Sequence, residues 1–348
     1  MDRSFYLDLA KKGQRLIFGT NLILEQKPDA HEIALDGKRL GKIYIDAAGE
    51  FGSPIALPLM DLTIEKNELL HLLGIEDKLR DTYRFEENLS ETILNALKQN
   101  MKSEPTPELV SYCEAIRYVK QNSDLMPAGM LIGPFSLMTK LLADPIVPVF
   151  IASSGVTGEE DPSVHTIEIL LDMAVTVIRR SAQMQIEAGA KLICICEPAA
   201  NTAFISPDML TEDTDVFDRY VLSYNNKILE LMNAAGVDLL LHDCGELSDA
   251  MIQKLCKLRP VILSLGSSRE LWHDAHLVPK DIVLFGNVST KNLMYIPEVK
   301  LKQTVRDLRE KMEASGHPFI LGSECDIMSI PGYEKLLFER ARMILTCR

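Results

Sequence analysis

The stretch VDLLLHDCGE, residues 237–246, joins an apolar run to a polar tail, and it has a counterpart in PFILGSECDI, residues 318–327. In the first stretch His242 and Cys244 follow an apolar run that is typical of a buried strand. In the second, Cys325 follows a similar run. Two such strands in one parallel sheet would bring these side chains to one edge, and imidazole with two thiolates suits Zn²⁺. Three protein ligands leave one tetrahedral position open, which is typical of a catalytic zinc site.

The composition limits the class of protein. The chain has 348 residues, 47% of them hydrophobic, so it can bury a sizeable core as one α/β barrel or as two domains. The formal net charge of -13 argues against nucleic acid or an anionic membrane as the main partner, and equally against a polyanionic substrate unless arginines gather locally. No apolar run reaches the ~18 residues of a membrane span, and the N-terminus lacks a signal-peptide core. Seven scattered cysteines predict reduced thiols in a cytoplasmic protein.

Short apolar runs alternate with helical patterns along the chain. Residues 1–20 are predicted to form an opening helix, followed by a small β cap in which Asp36-Gly37 marks a turn. Long helices are predicted over residues 162–188 and about 211–235. The predicted strands cover residues 55–63, 129–134, 147–153, 192–198, 237–241, 261–266, 282–288 and 318–323.

Eight short apolar strands separated by helices predict a (β/α)8 TIM barrel. Strands without polar alternation are typical of a parallel sheet that is covered on both faces. Residues 1–54 are predicted to form an N-terminal helix and β cap, and residues 55–348 the barrel. Because the active site of such a barrel lies at the carboxyl ends of its strands, the zinc ligands are predicted to lie at the mouth.

Three further polar residues follow predicted strands and would face the same cavity. Glu197 could support the metal ligands, accept a proton or be a fourth ligand, or it could cap the helix or loop that follows it. Asn287 could hydrogen-bond a substrate or merely close the turn after Gly286. Asp61 is a similar candidate. The residues alone leave these alternatives open.

Six segments together resemble a known family. From about residue 55 onward the chain resembles the uroporphyrinogen decarboxylase superfamily, and within it the zinc-dependent corrinoid methyltransferases, whose members include methylcobalamin:coenzyme M methyltransferases. The segments are MDLTIEKNE (60–68), GPFSLMTKLL (133–142), EPAANTAFISPDML (197–210), LHDCGE (241–246), LFGNVST (284–290) and LGSECDIMSIPGYEKL (321–336).

The resemblance implies a fold, a cofactor and a reaction. It implies that His242, Cys244 and Cys325 bind Zn²⁺ in a (β/α)8 barrel. A methyl group would then move between the corrinoid (methylcobalamin) of a separate corrinoid-binding protein and a small zinc-activated substrate, such as the thiol of coenzyme M. The implied role of Glu197 is to take the thiol proton or to hold the site before substrate arrives. Asp61 and Asn287 are expected to contact substrate or corrinoid.

The chain also departs from the family pattern. Glu197 stands where relatives often have aspartate, and Asp326 where they often have glycine, so the identity of the thiol stays open. The arginine-rich N-terminal segment of the decarboxylases is missing, which argues against decarboxylation. The alternatives are methyl transfer from a methylated donor to the corrinoid, as in O-demethylases, a decarboxylase-like lyase, or a relative in which zinc only staples the rim.

Overall fold

A single parallel sheet organises the chain in a computed structural model that describes residues 3–86, 88–210 and 215–347. The strands pair in the order β1-β8-β7-β6-β5-β4-β3-β2, and every pair is parallel. The sheet curls into a TIM-barrel-like fold with the two-residue strands β1 and β2 at its edges, which confirms the predicted fold class. The strands are β1 (Arg15–Leu16), β2 (Ile55–Ala56), β3 (Met126–Ile132), β4 (Leu192–Cys196), β5 (Asp238–Asp243), β6 (Ile262–Leu265), β7 (Val283–Val288) and β8 (Phe319–Ser323).

Helices connect the strands and cover the outside of the sheet. The longest, over Pro162–Ala188, begins where the Asp161 carboxylate accepts from two backbone N–H groups, and it ends at Gly189, whose φ of 113° suits glycine. A π-helix, Phe217–Leu222, leads into the α-helix over Ser223–Ala234. The α-helices are α1 (Ser4–Lys11), α2 (Thr20–Leu24), α3 (Ala30–Ala34), α4 (Gly37–Phe51), α5 (Ile64–Leu72), α6 (Asp77–Arg80), α7 (Glu91–Asn100), α8 (Pro107–Asn122), α9 (Pro134–Leu141), α10 (Ile146–Ala152), α11 (Pro162–Ala188), α12 (Ser223–Ala234), α13 (Asp249–Cys256), α14 (Leu271–Asp274), α15 (Asn292–Tyr295), α16 (Glu298–Ser315) and α17 (Glu334–Thr346).

The core lies on both faces of the sheet. Every residue of β4, β6 and β7 is buried, as expected for parallel strands with side chains inside the barrel and helices outside it. His242 on β5 and Ser264 on β6 are buried polar residues, and each lies one residue before the end of its strand. The fold therefore concentrates its inward polar groups at the mouth.

The predicted N-terminal β cap is wrong, because this segment forms helices. The Asp36 carboxylate does not mark a hairpin turn; it accepts from the N–H groups of Lys38 and Arg39 and caps α4. The apolar residues of α4 recur with a helical period and are buried: Leu40, Ile43, Tyr44, Ala47 and Phe51. The helix packs closely against α8. The boundary between residues 54 and 55 stays a prediction.

One predicted strand is absent and one observed strand was not predicted, so the count of eight strands is still correct. Residues 147–153 lie mostly in α10, where Val149 and Ala152 are buried at a helical spacing while Ile146 and Phe150 are exposed. The strand that replaces this one is β1, which pairs with β8 and interrupts the opening helix predicted over residues 1–20. A strand of only two paired residues is too short to show the alternation of apolar and polar side chains that indicates a strand in a sequence.

The boundaries of one predicted strand and one predicted helix also differ from those in the structure. In the predicted strand 55–63 only β2 pairs with β3, so Asp61 lies in the loop beyond the strand. The helix predicted from about residue 211 has its first four positions, 211–214, outside the described residues, and the π-helix begins at Phe217. Among the described residues, no helix combines the length and apolar character that crossing a membrane requires.

Candidate metal centre

His242 lies inside the barrel near the carboxyl end of β5. The parallel register pairs it with Cys196 on β4 and Ser264 on β6, so their side chains share the inner face. Its Nδ1 lies 2.9 Å from Ser264 Oγ, and the ring of Phe18 packs edge-on at 5.2 Å. Only 1% of His242 is exposed, yet its Nε2 has no hydrogen-bonding partner among the described residues. An imidazole held through Nδ1 has Nε2 available as a ligand.

Two half-buried thiols complete a group of three ligands. Cys244 follows β5 by one residue, and Cys325 follows β8 by two. One ligand atom from each of His242, Cys244 and Cys325 lies within 4.8 Å of the other two. Within residues 3–86, 88–210 and 215–347, this is the one cluster of at least three His, Cys, Asp or Glu side chains with such spacing. The structure therefore brings together the three residues that the sequence nominated as metal ligands.

The protonation of the two thiols is coupled. Their mutual hydrogen bond raises the pKa of the Cys244 thiol, and burial raises it further. The same hydrogen bond lowers the pKa of Cys325, with His242 adding to the effect and burial opposing it. The pair therefore favours one shared negative charge. A bound cation would allow both thiols to ionise, because a metal deprotonates the thiols that coordinate it.

The residues fit a zinc ion. The ligand set is one imidazole and two thiols. Zn²⁺ prefers such nitrogen and sulfur ligands to a site made of carboxylates alone. The unpartnered, buried Nε2 of His242 is a lone pair that a metal would satisfy, since buried polar atoms are otherwise nearly always hydrogen-bonded. Ser264 would serve as the outer partner that fixes the ring, as metal-binding histidines usually require.

Glu197 lies beside this group, but its carboxylate is hydrogen-bonded to other parts of the protein. Its Oε2 accepts from the N–H of Ser136 at 2.9 Å, and its Oε1 accepts from the N–H of Phe135 at 3.2 Å and from Asn225 Nδ2 at 2.8 Å. A Cβ atom at Gly133 would come within 2.0 Å of the Glu197 Cδ, so glycine leaves the space for the carboxyl group. Glu197 thus caps α9, the helix that precedes it in the chain.

The charge of Glu197 is shielded by the protein itself. Burial raises the pKa of its carboxyl group, and hydrogen bonds from Ser136, Asn225 and Phe135 oppose the rise. The positive end of α9 also favours a carboxylate there. Glu197 is not a member of the three-residue ligand group. Its link to that group is through the backbone, where its N–H donates to the carbonyl of His242 at 2.9 Å.

Asn287 and Asp61 occupy two different environments. The Nδ2 of Asn287 donates to the carbonyls of Gly266 and Arg269, both at 2.8 Å, and so ties β7 to the loop after β6. These contacts are structural, but they reach the loop after β6 and do not close the turn after Gly286, so the substrate role of Asn287 stays a prediction. Asp61 lines an open cleft, and its Oδ1 accepts from the N–H and hydroxyl of Thr63 at 2.9 and 2.6 Å.

The two carboxylates beside Cys325 have protein partners. Glu324 accepts from the N–H groups of Ser267 and Thr290, each at 2.8 Å, and connects the loops after β6, β7 and β8. Asp326 is 7% exposed and accepts from Asn21 Nδ2 at 3.2 Å. Burial raises the pKa of Asp326 to about 7, a rise that the Asn21 hydrogen bond opposes.

Sequence reasoning missed three residues that surround the metal group. Ser264 was visible as the one hydroxyl in the apolar run VILSLG, on the strand that follows β5. Cys196 was visible through the alternation in LICIC, which places it on the inner face beside His242. Met60, whose Sδ lies 3.9 Å from Cys325 Sγ, had no signal, because nothing local indicates a contact between residues so distant in sequence.

Comparison with known proteins gives the family. The model of the uroporphyrinogen decarboxylase (URO-D) family matches residues 36–333. The methylcobamide:CoM methyltransferase MtbA of Methanosarcina acetivorans is 29% identical over 140 residues, which are 40% of this chain and 36% of the relative. MtbA of Methanosarcina mazei is 27% identical over 132 residues, 38% of this chain and 34% of the relative. Each match thus spans about a third of the curated relative's length.

A solved structure supports the fold over nearly the whole chain. A methyltransferase from Methanosarcina mazei superposes with a TM-score of 0.66 at 18% identity, covering 98% of each chain. The fold defines a TIM-barrel protein that gathers an imidazole and two thiols at the carboxyl ends of its strands, where active sites of such barrels lie. The chain belongs to the uroporphyrinogen decarboxylase family, which confirms the resemblance drawn from the sequence.

Proposed function

We propose that this protein is a zinc-dependent methyltransferase that moves a methyl group between a corrinoid and a small thiol. The observation that carries the proposal is the grouping of His242 with the thiols of Cys244 and Cys325 at the barrel mouth, with one ligand atom of each within 4.8 Å of the others. A decarboxylase-like lyase would need no such ligands. The MtbA relatives, which are methylcobamide:CoM methyltransferases, support the reaction class.

The three ligands would bind zinc with one tetrahedral position left for substrate. When bound there, Zn²⁺ would supply the positive charge that keeps a substrate thiol deprotonated and nucleophilic at neutral pH. Ser264 holds the His242 ring through Nδ1, which leaves Nε2 for the metal. Met60 covers the Cys325 thiol where the cleft approaches it.

Glu197 is assigned a positioning role in this proposal. Its carboxylate is occupied by three hydrogen bonds, so it has little capacity left to accept a substrate proton. It acts instead by joining α9 to the backbone of His242, which keeps β4 and β5 in register at the mouth. Asn287 plays a similar part between the loop after β6 and β7.

The methyl group requires a second macromolecule. A corrinoid is large, and we propose that a separate corrinoid-binding protein docks over the mouth and presents its methylcobalamin to the metal group. The names of the MtbA relatives include CoM, and we propose a small thiol as the acceptor at this site. The direction of transfer and the cytoplasmic location stay predictions.

Methyl transfer from methylcobalamin to thiols tests the reaction. The zinc-loaded protein, kept under reducing and anaerobic conditions, is expected to convert methylcobalamin to demethylated cobalamin in a thiol-dependent way. Cys244→Ala should lower the rate at least about 10³-fold, because a metal ligand is removed. The matched control is Cys256→Ala, a buried cysteine on α13 outside the ligand group, which should keep the rate.

Three outcomes would contradict the proposed function. Equal rates for Cys244→Ala and Cys256→Ala would refute the metal assignment. Release of CO₂ from a porphyrinogen by protein without zinc would favour the lyase. Tightly bound zinc with four protein ligands, and no response to any thiol or methyl donor, would instead indicate a structural staple.

A further inference from the structure

A cleft of about 680 Å³ lies beside the metal group and is a natural entry for a small substrate. Its walls come from α2, α3 and the loops after β2 and β8. Met60 lines this cleft and also contacts Cys325, Sδ to Sγ at 3.9 Å, so one side chain separates the cleft from a zinc ligand. The groups that line the cleft therefore face whatever substrate reaches the metal from this side.

The ionisable lining of the cleft is predominantly acidic. Three carboxylates, Glu25, Glu32 and Asp61, face one ammonium, Lys27, which leaves a formal excess of two negative charges when His31 is neutral. None of the described lining residues is an arginine. Lys140 on α9 lies outside the lining but interacts electrostatically with Asp61, and its Nζ donates to the carbonyl of Leu62 at 3.2 Å. Counting Lys140 still leaves the balance negative.

Asp61 is the carboxylate next in the chain to Met60 and is placed to bind a ligand. Its Oδ1 accepts two hydrogen bonds from Thr63, which fix the orientation of the carboxylate. Its Oδ2 accepts no hydrogen bond from the residues that the structure describes, and the side chain is half-exposed to the cleft. Deeper in, Asn21 lines the cleft and binds the buried Asp326, so a further carboxyl group stands behind the wall.

We infer that the thiol taken by this site carries a cationic group, an ammonium, and that Asp61 binds that group. The inference rests on the proposed function. A sulfonate or a second carboxylate in the cleft would meet like charges without arginine to offset them, whereas an ammonium would meet opposite charges. The cleft thus selects against coenzyme M, a sulfonated thiol, although it keeps the zinc chemistry of thiol methylation.

Three thiols of equal length test this charge preference. 2-Aminoethanethiol, 2-mercaptoethanol and 2-mercaptoethanesulfonate share a two-carbon thiol and differ in the terminal group. Their dissociation constants for the zinc-loaded protein can be measured by calorimetry and corrected to the thiolate form with the pKa of each free thiol. We expect the aminothiol to bind at least about tenfold more tightly than the sulfonated thiol, with the neutral thiol between them.

Two variants locate the preference. Asp61→Asn keeps the Oδ1 acceptor for Thr63 but removes the charge, and it should reduce the preference to about threefold or less. Asp144→Asn is the matched control, because Asp144 Oδ1 also accepts from the N–H two residues later, at 3.0 Å, but Asp144 does not line the cleft. That control should keep the wild-type preference.

The possible failures can be told apart. Tighter or equal binding of the sulfonated thiol, or an unchanged preference in Asp61→Asn, would overturn the inference and leave the methyltransferase proposal standing. Failure of all three thiols to bind a zinc-loaded protein would overturn both. A preference that Asp144→Asn reduces as much as Asp61→Asn would overturn the assignment to the cleft.

Discussion

The carboxyl ends of β4 and β5 lie side by side, yet their polar residues are satisfied in opposite ways. Glu197, after β4, has a carboxylate whose two oxygens accept three hydrogen bonds from α9 and α12. His242, near the end of β5, is equally buried, but its Nε2 has no partner at normal hydrogen-bond geometry among the described residues, and the thiols of Cys244 and Cys325 are its neighbours in the ligand group. One residue has used its hydrogen-bonding capacity within the fold, and the other has kept a lone pair for a ligand.

This difference separates structural from functional polar residues at the mouth. Residue type and position after a strand are the same kind of signal for Glu197, Asn287 and His242. Their contacts differ from those of His242. Asn287 donates to two backbone carbonyls, and Glu197 accepts from two backbone N–H groups. A polar residue at a strand end is therefore a strong ligand candidate only where the protein leaves one of its atoms unsatisfied.

Glu197→Gln should give the largest effect on stability. The amide places an NH₂ group against the backbone donors of α9 or the Asn225 amide, so a buried hydrogen bond is lost and two donors oppose each other. We expect a loss of about 2–4 kcal/mol in the free energy of unfolding, measured with urea, while zinc still binds one per chain. Glu246→Gln, an exposed residue, is the control and should change little. Loss of zinc without loss of stability would place Glu197 in the metal group.

Glu65 provides a pH test of another carboxyl group that is satisfied by the fold. Its Oε1 accepts from Ser181 at 2.8 Å, and burial raises its pKa from 4.5 to about 7, an effect that the Ser181 hydrogen bond opposes. Between these values the unfolded chain releases a proton that the folded protein keeps, so stability falls as pH rises from about 4.5 to 7. The contribution of Glu65 to this fall is about 3 kcal/mol, an order-of-magnitude figure.

Urea unfolding at pH 5 and pH 7.5 measures this slope. Glu65→Gln should lose less stability than the wild type over that interval, because its side chain does not ionise. Glu91→Gln, on the exposed face of α7, should keep the wild-type slope. Identical slopes for the wild type and Glu65→Gln would show that Glu65 is ionised in the folded protein throughout.

Ser264→Ala should give the smallest of these effects and acts on the metal side of the comparison. Removing the hydroxyl at 2.9 Å from His242 Nδ1 frees the ring, and zinc affinity should fall about 10–100-fold in a competition with a chelator. Ser136→Ala is the matched control, because Ser136 Oγ accepts from Ala199 N–H on the Glu197 side. Equal losses in both variants would mean that the two regions are not separate.

The sequence predicted the helices and strands whose apolar residues form a clear local pattern. The long helix over Pro162–Ala188 and the strands from β3 to β8 were found because their apolar runs are long and their helix ends carry clear caps. The segment 31–50 was mistaken for strands because an Asp-Gly pair is a turn signal as well as a helix start. Strand β1 was missed because only two of its residues pair.

The grouping of the three proposed ligands was predictable from the sequence, but the residues around them were not. His242 lies near the end of an apolar strand, and Cys244 and Cys325 follow such strands, so the topology of a parallel barrel brings them together. Whether Glu197 faces the metal or caps a helix depends on where α9 begins relative to β4, which is a tertiary relation. The contact of Met60 with Cys325 joins the first and last parts of the barrel and has no local trace.

The zinc content of the purified protein tests the central claim most directly. We predict one zinc per chain for the wild type and for Cys256→Ala, and none for Cys325→Ala, measured by mass spectrometry of the metal after reconstitution under reducing conditions. Circular dichroism should show Cys325→Ala folded, since Cys325 lies in the loop beyond β8 and is not part of the core. A Cys325→Ala protein with full zinc content, or a wild type that takes up no zinc, would contradict the account.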